Sequence, residues 1–77
     1  MKVYVDNFHR ATTEAELRQL FEGFGTVTSV LIVLERPGGP SCGYGFVEMT
    51  EMAEARSAIT ALNGSRLGSL VLKVDEA

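Results

Sequence analysis

Residues 42 to 49, which read Cys-Gly-Tyr-Gly-Phe-Val-Glu-Met, constrain the fold of this chain more than any other segment. Tyr44 and Phe46 stand two positions apart, so in an extended strand both side chains project from the same face of a sheet. Glycines stand before and between them, and a strand tolerates glycine where another group approaches its backbone closely. The segment therefore predicts a strand with two aromatic rings on one face.

A second strand is predicted near the N-terminus, where residues 2 to 8 read Lys-Val-Tyr-Val-Asp-Asn-Phe. Tyr4 lies between two valines, so its ring and the valine side chains occupy opposite faces of the strand. Three aromatic rings on one open sheet face would form a platform on which unpaired bases can stack. The alternative interpretation is cross-strand aromatic packing that only stabilises the sheet.

Length and composition predict one small domain that spans residues 1–77. An apolar content of 45% is sufficient for a packed core. The longest strictly apolar run, Val30 to Leu34, is too short to cross a membrane, and no signal-peptide pattern follows Met1, so we expect a cytoplasmic protein. The one cysteine has no partner for an internal disulfide, and no Cys/His cluster has metal-ligand spacing, so neither a metal nor a cofactor is expected.

Two amphipathic helices are predicted. Thr13 stands three residues before Glu16, which is a capping-box pattern that starts a helix. Apolar residues with the spacing of one buried helical face follow at Leu17, Leu20, Phe21 and Phe24. The second helix has Thr50 as its expected N-cap, and Asn63-Gly64 ends it with residues that tolerate a left-handed conformation. Its buried face repeats the spacing of the first helix at Ala55, Ala58, Ile59 and Leu62.

The remaining strands complete the order βαββαβ. Residues 27 to 34 are rich in β-branched side chains, a Pro-Gly-Gly-Pro loop follows at residues 37–40, and Leu70 to Val74 is the predicted last strand. Right-handed crossovers then give an α+β, ferredoxin-like sandwich, in which a four-stranded antiparallel sheet of order 4-1-3-2 carries both helices on one face.

Strand alternation sorts the side chains of the predicted sheet into two faces. The side toward the helices receives Val3, Val5, Val27, Val30, Ile32, Val47, Leu72 and Val74, with Gly43 and Gly45 leaving room for them. The open face receives Lys2, Tyr4, Asp6, Leu31, Val33, Cys42, Tyr44, Phe46, Glu48, Val71 and Lys73.

The strands at residues 2–8 and 42–49 resemble the RNP hexamer and the RNP octamer of the RNA recognition motif (RRM). The resemblance covers essentially the whole chain, including Ala-Leu-Asn-Gly at residues 61–64 and the ending at residues 72–77, and it is to small bacterial RNA-binding proteins with a single RRM. It implies non-catalytic binding of single-stranded RNA. It also implies that Tyr4 and Phe46 each stack on a base, that Tyr44 packs against the sugars between them, and that Asn7 holds a turn.

The charge pattern limits how the chain would hold RNA. A formal net charge of −3 is unusual for a protein that binds nucleic acid, because phosphate binding normally requires a basic surface. The predicted helices, however, carry five glutamates against two arginines, so the rest of the chain is neutral. The candidate phosphate contacts are Lys2, Arg10, Arg36 and Lys73. The predicted strand directions place Arg10 and Arg36 at one end of the sheet and Lys2 and Lys73 at the other. So few cations predict weak binding, and the small number of side chains that could hydrogen-bond to base edges predicts low sequence specificity.

Departures from the RRM pattern favour an alternative. The octamer usually opens with Arg or Lys, where this chain has Cys42, and the last strand usually follows an Arg, where this chain has Leu70. Leu31 adds apolar surface beside the platform. The alternative function is a domain that binds a protein partner, or a second copy of itself, through the same face. An enzyme is not expected, because neither His9 nor Cys42 has a catalytic partner that the sequence identifies.

Overall fold

The computed structural model describes all 77 residues, Met1 to Ala77. Two helices and six strands follow one another along the chain. They are β1 (Lys2–Asp6), α1 (Glu14–Glu22), β2 (Val27–Leu34), β3 (Ser41–Met49), α2 (Met52–Leu62), β4 (Arg66–Leu67), β5 (Leu70–Val71) and β6 (Lys73–Glu76).

Four strands form one antiparallel sheet in the order β2-β3-β1-β6, with β1 and β3 at its centre. Strand β6 is the fourth strand of this sheet along the chain, so the predicted order 4-1-3-2 is confirmed. Both crossover helices lie on one face, which confirms the α+β, ferredoxin-like sandwich. The two strands that carry the aromatic residues are therefore supported by a neighbour on each side.

The core lies between the sheet and the two helices. Of the eight residues predicted to form the buried faces of the helices, five are buried and three, Leu20, Phe24 and Ile59, are half-buried against the core. Of the apolar strand residues predicted to face inward, Val30 alone is half-buried. The buried apolar residues are Val3, Val5, Phe8, Leu17, Phe21, Val27, Ile32, Val47, Met49, Ala55, Ala58, Leu62, Leu72 and Val74. Neither helix combines the length and the apolar character that a bilayer-spanning helix requires.

The start of each helix tests the capping patterns in the sequence. The Thr13 side chain accepts a hydrogen bond from the Glu16 backbone N–H, and the Glu16 carboxylate accepts one from the Thr13 backbone N–H, which is the predicted capping box. The prediction for α2 is wrong by one residue, because Glu51 is the N-cap and makes no side-chain capping bond. A hydroxyl at Thr50 stands one position too early to reach the free amides of the first turn.

The prediction for the last strand is wrong in its extent. Leu70 and Val71 belong to a separate two-stranded hairpin with Arg66 and Leu67, and the sheet strand begins only at Lys73. The turn of this hairpin contains Gly68-Ser69, and Gly68 has a φ of +64°, which suits the first position of a type II′ turn. Val71 consequently lies outside the four-stranded sheet.

Candidate nucleic-acid interface

The face of the sheet away from the helices carries its side chains in rows that cross the strands. One row runs from Leu31 on β2 through Phe46 on β3 and Tyr4 on β1 to Asp75 on β6, because these residues are cross-strand partners. The next row contains Tyr44, Asp6 and Lys73. A third contains Ser29, Glu48 and Lys2. The aromatic residues therefore occupy the middle of the open face, with charged residues on β1, β3 and β6 around them and the uncharged Ser29 and Leu31 on the β2 side.

The rings of Tyr4, Tyr44 and Phe46 form one contiguous cluster, here called the aromatic platform. The ring centroids of Tyr4 and Phe46 are 5.8 Å apart, and those of Tyr4 and Tyr44 are 6.1 Å apart, with tilted planes in both pairs. Such spacings are those of interacting aromatic pairs. All three side chains are half-buried, and no helix covers them. The predicted orientation of these residues is confirmed, so the solvent-facing side of the aromatic platform is free to contact a flat ligand.

Tyr4 is held in place by a polar neighbour on its own strand. Its hydroxyl donates a hydrogen bond of 2.8 Å to Asp6 Oδ2, while the other carboxylate oxygen of Asp6 accepts from the Asn7 backbone N–H at 2.7 Å. The hydrogen bond to Asp6 raises the pKa of Tyr4 above its ordinary value, with smaller contributions from desolvation and from nearby negative charge. The phenol therefore stays neutral and its ring direction is fixed by Asp6.

The turn after β1 depends on Asn7. This residue has a φ of +67°, a left-handed conformation that asparagine adopts more readily than most residues, and its Nδ2 donates to the Val71 carbonyl at 2.8 Å. Asn7 therefore holds the turn after β1, as the resemblance implies. It ties the end of β1 to the β4–β5 hairpin.

The glycines of β3 allow two close backbone approaches. A Cβ on Gly45 would lie 2.2 Å from the Leu31 carbonyl oxygen of β2, and a Cβ on Gly43, which has a φ of +79°, would lie 3.0 Å from the Phe8 carbonyl oxygen. The sequence predicted that these glycines make room for side chains of the inner face. The structure shows that Gly45 instead makes room for the backbone of the adjacent strand, which keeps Leu31 beside Phe46.

The four candidate cations differ in what they contact. Lys2 Nζ lies 5.7 Å from the centroid of the Phe46 ring, in the range of a cation–π interaction. Arg10 forms an ion pair with Glu35 and also donates to the Ser41 carbonyl. Arg36 and Lys73 are exposed and make no ion pair.

The predicted placement of Lys2 and Lys73 at the same end of the sheet is wrong. Strand β6 begins at Lys73 and runs antiparallel to β1, so Lys73 is the partner of Asp6, at the end of β1. Lys2 pairs with Glu48 at the start of β1. Lys73 therefore joins the end that holds Arg10 and the loop with Arg36. Leu70 itself lies in the β4–β5 hairpin, and the first residue of the last sheet strand is a lysine.

Most of the acidic side chains of the helices already have partners within the fold. Glu14 accepts from the Ile32 backbone N–H of the edge strand β2, Glu54 accepts from the Thr26 N–H, and Glu22 pairs with Arg18 across one turn of α1. Glu16 completes the capping box. The net charge of −3 thus reflects groups that stabilise the domain on the side away from the platform.

The two residues considered for chemistry, Cys42 and His9, lie on different elements of the fold. Cys42 is exposed at the start of β3 and has no disulfide partner. His9 lies in the loop after β1, where its Nδ1 accepts from the Ala11 backbone N–H at 3.1 Å. No group of three or more metal-ligating side chains is present.

Two partners of the site residues, Asp6 and Glu35, were not predicted from the sequence. Asp6 stands two positions after Tyr4 on the same strand face, so strand alternation alone could have indicated the contact. Glu35 is 25 residues away from Arg10 and lies in a different loop, so no local pattern signals that pair. It follows only from the way the fold brings the loop after β1 against the β2–β3 connection.

Two relatives illustrate the similarity of the sequence to known proteins. The Protein elav of Drosophila melanogaster is 47% identical over 72 residues, which are 94% of this chain but 15% of that protein. RbpE of Nostoc sp. is 39% identical over 77 residues, which are 100% of this chain and 78% of that protein. The chain therefore spans only a small part of elav and most of the bacterial protein.

Solved structures of similar sequence share the fold. The crystal structure of RNA Binding Protein PG1 superposes with a TM-score of 0.96 at 38% identity, covering 100% of this chain and 93% of that chain. The RRM of Rna15 with bound RNA (GU) superposes with a TM-score of 0.88 at 30% identity, covering 99% of this chain and 81% of that chain. The family model of the RNA recognition motif matches residues 3–73. The chain belongs to the RNA recognition motif family, whose members include domains that bind RNA.

Proposed function

We propose that this domain binds single-stranded RNA by stacking bases on the aromatic platform, without catalysing a reaction. Tyr4 and Phe46 each take a base, and Tyr44 packs against the sugars between them. The observation that carries the proposal is the contiguous cluster of three half-buried rings at the centre of the uncovered sheet face. The structure of Rna15 with bound RNA, a domain of the same fold, supports RNA as the ligand.

The geometry of the platform suits sequence-tolerant recognition. Every base has a flat face, so stacking on an aromatic ring is worth about 1–3 kcal/mol per base with little dependence on base identity. Asp6 holds the Tyr4 hydroxyl and Lys2 lies beside the Phe46 ring, so both rings are ordered before a ligand arrives. A preordered ring loses less side-chain entropy on binding.

Phosphates would be contacted from the edges of the platform. Arg36 and Lys73 stand free at one end of the sheet, together with the paired Arg10, and Lys2 stands at the other. A strand of RNA that crosses the rings would pass cations at both ends. With at most four cations available, the electrostatic share of binding is small and base stacking supplies most of the affinity.

The test removes each stacking ring in turn. We expect Tyr4→Ala and Phe46→Ala each to weaken binding to short random-sequence RNA by about 1–3 kcal/mol, as measured by fluorescence anisotropy. Both variants should remain folded, because neither ring contributes to the buried core. Circular dichroism and the dispersion of the NMR spectrum check the fold.

The matched control is Met52→Ala, which removes an exposed apolar side chain from α2 on the other side of the sheet. Its RNA affinity should equal that of the unmodified chain. Unchanged affinity in both folded platform variants would contradict base stacking at this face.

A further inference from the structure

Arg10 does not stand free in the folded domain. Its Nη2 lies 2.5 Å from Glu35 Oε1, and its Nε donates to the Ser41 carbonyl at 3.2 Å. The side chains of Arg10 and Glu35 remain 62% and 44% exposed, so the ion pair faces solvent. The pair lines a shallow cleft that also reaches Asp6 and Cys42, at the end of the open face.

A carboxylate and a phosphate compete for the same atoms of a guanidinium. Both are oxyanions that accept the paired N–H groups of arginine, and the phosphate is the ligand that RNA presents. While Glu35 holds Nη2, one of these donors is taken and the charge of Arg10 is balanced. A phosphate that approaches Arg10 also meets the negative charge of Glu35, which is on the same loop as Arg36.

We propose that Glu35 is an internal competitor that occupies, in the free protein, the Arg10 guanidinium edge that an RNA phosphate would take, and so holds RNA affinity down. The inference rests on the proposed function, because it assumes that RNA crosses this end of the sheet. Glu35 then acts as an affinity-setting residue that never touches RNA.

The alternative role for Glu35 would be to position Arg10 for RNA. The structure favours competition, since the bond from Nε to the Ser41 carbonyl anchors the guanidinium to β3 without help from Glu35. The ion pair between Glu35 and Arg10 is also exposed to solvent, and exposed ion pairs contribute little to stability. An incoming phosphate could therefore displace Glu35 at low cost.

The experiment is Glu35→Gln, which keeps the shape of the side chain and removes its charge. Binding to short random-sequence RNA, measured by anisotropy at several salt concentrations, should tighten by roughly 1.5- to 5-fold, the range set by an exposed ion pair. The slope of log K against log[salt] should steepen by about 0.7, the value for one added phosphate contact on a single strand.

The matched control is Glu22→Gln. Glu22 also pairs with an arginine, Arg18, at 3.8 Å, but on α1, away from the platform. Both substitutions remove one negative charge from a formal net charge of −3, so a general charge effect would appear in both. We expect the gain only in Glu35→Gln.

The double variant Arg10→Gln/Glu35→Gln tests whether the gain passes through Arg10. It should show no gain over Arg10→Gln alone. Equal gains in the two glutamate variants, a gain that survives in the double variant, or a loss of affinity in Glu35→Gln would each overturn the inference. If Tyr4→Ala loses RNA affinity while Glu35→Gln binds RNA as the unmodified chain does, the proposed function is supported and the competition by Glu35 is contradicted.

Discussion

Tyr4 has two roles that depend on different parts of its side chain. Its ring is the junction of the aromatic platform, since it contacts both Tyr44 and Phe46. Its hydroxyl is engaged by Asp6 and is therefore not free to donate to a ligand. The direction of the ring is set by a carboxylate two residues along the strand. Asp6 thus contributes to the platform as a positioning residue, although it carries the wrong charge to approach a phosphate.

This arrangement predicts how Tyr4 ionises. In a Tyr44→Phe background, which leaves Tyr4 as the chain's one tyrosine, Asp6→Ala should lower the pKa of Tyr4 toward the ordinary value of 10.0. The reason is that the hydrogen bond to Asp6, the largest cause of the raised pKa, is removed. Ultraviolet absorbance titration of the phenolate measures the shift. Identical titration curves with and without Asp6 would show that the hydroxyl is not bonded to this carboxylate.

The same shift fixes the sign of a stability change at high pH. Because the pKa is raised in the folded state, the folded protein retains the phenol proton more tightly than the unfolded chain does. The contribution of this bond is present below pH 10.0 and is lost as the pH rises through the folded pKa.

Single side chains also show which contacts a sequence can predict. Strand alternation predicts that Tyr4, Tyr44 and Phe46 lie on the open face of the sheet, and it requires only that the strands be recognised. The ion pair between Arg10 and Glu35 joins two loops 25 residues apart in sequence, so it depends on the tertiary packing of the β1 and β2 strand ends. Whether a candidate site residue is ion-paired is therefore harder to predict than its presence in the site.

Among the elements, helix starts provide the sharpest test of local sequence. We expect Thr13→Ala to lower the free energy of unfolding by about 1 kcal/mol, because it removes the capping bond to the Glu16 backbone N–H. Thr50→Ala is the matched control, and it should have little effect because Glu51, and not Thr50, caps α2. Urea denaturation measures both. A loss at Thr50 equal to that at Thr13 would mean that the cap of α2 is assigned to the wrong residue.

The strands of the sheet show where element boundaries could be predicted and where they could not. The strands predicted at residues 2–8 and 42–49 have strong alternation. In the structure β1 ends two residues earlier, at Asp6, and β3 begins one residue earlier, at Ser41. The last strand was placed too early because Leu70, Val71 and Leu72 form an apolar run that fits a strand. The Gly68-Ser69 pair between Leu67 and Leu70 was the missed signal, since such a pair indicates a two-residue hairpin turn.

Across the whole molecule, the distribution of charge is more informative than its sum. Glutamates on the helices accept hydrogen bonds from the backbone N–H groups of Ile32, on the edge strand β2, and of Thr26, in the loop before it. Satisfied edge groups are not available for pairing with another sheet. The open face carries Lys2 and Lys73 around the aromatic rings, together with Asp6, Glu48 and Asp75. A net charge of −3 is compatible with RNA binding because base stacking on aromatic rings does not depend on net charge.

This distribution predicts a shallow dependence of RNA affinity on salt. Three free cations, Lys2, Arg36 and Lys73, would give a slope of log K against log[salt] of about −2, and a fully released Arg10 would bring it to about −3, at about −0.7 per contact. Lys73→Gln should make the slope shallower by about 0.7, because it removes one phosphate contact. Arg56→Gln, which removes an exposed cation from α2, should leave the slope unchanged. Anisotropy titrations between about 50 and 200 mM salt measure each slope. A slope near −6 in the unmodified chain, or an equal response to both substitutions, would mean that RNA follows a basic path outside the open face.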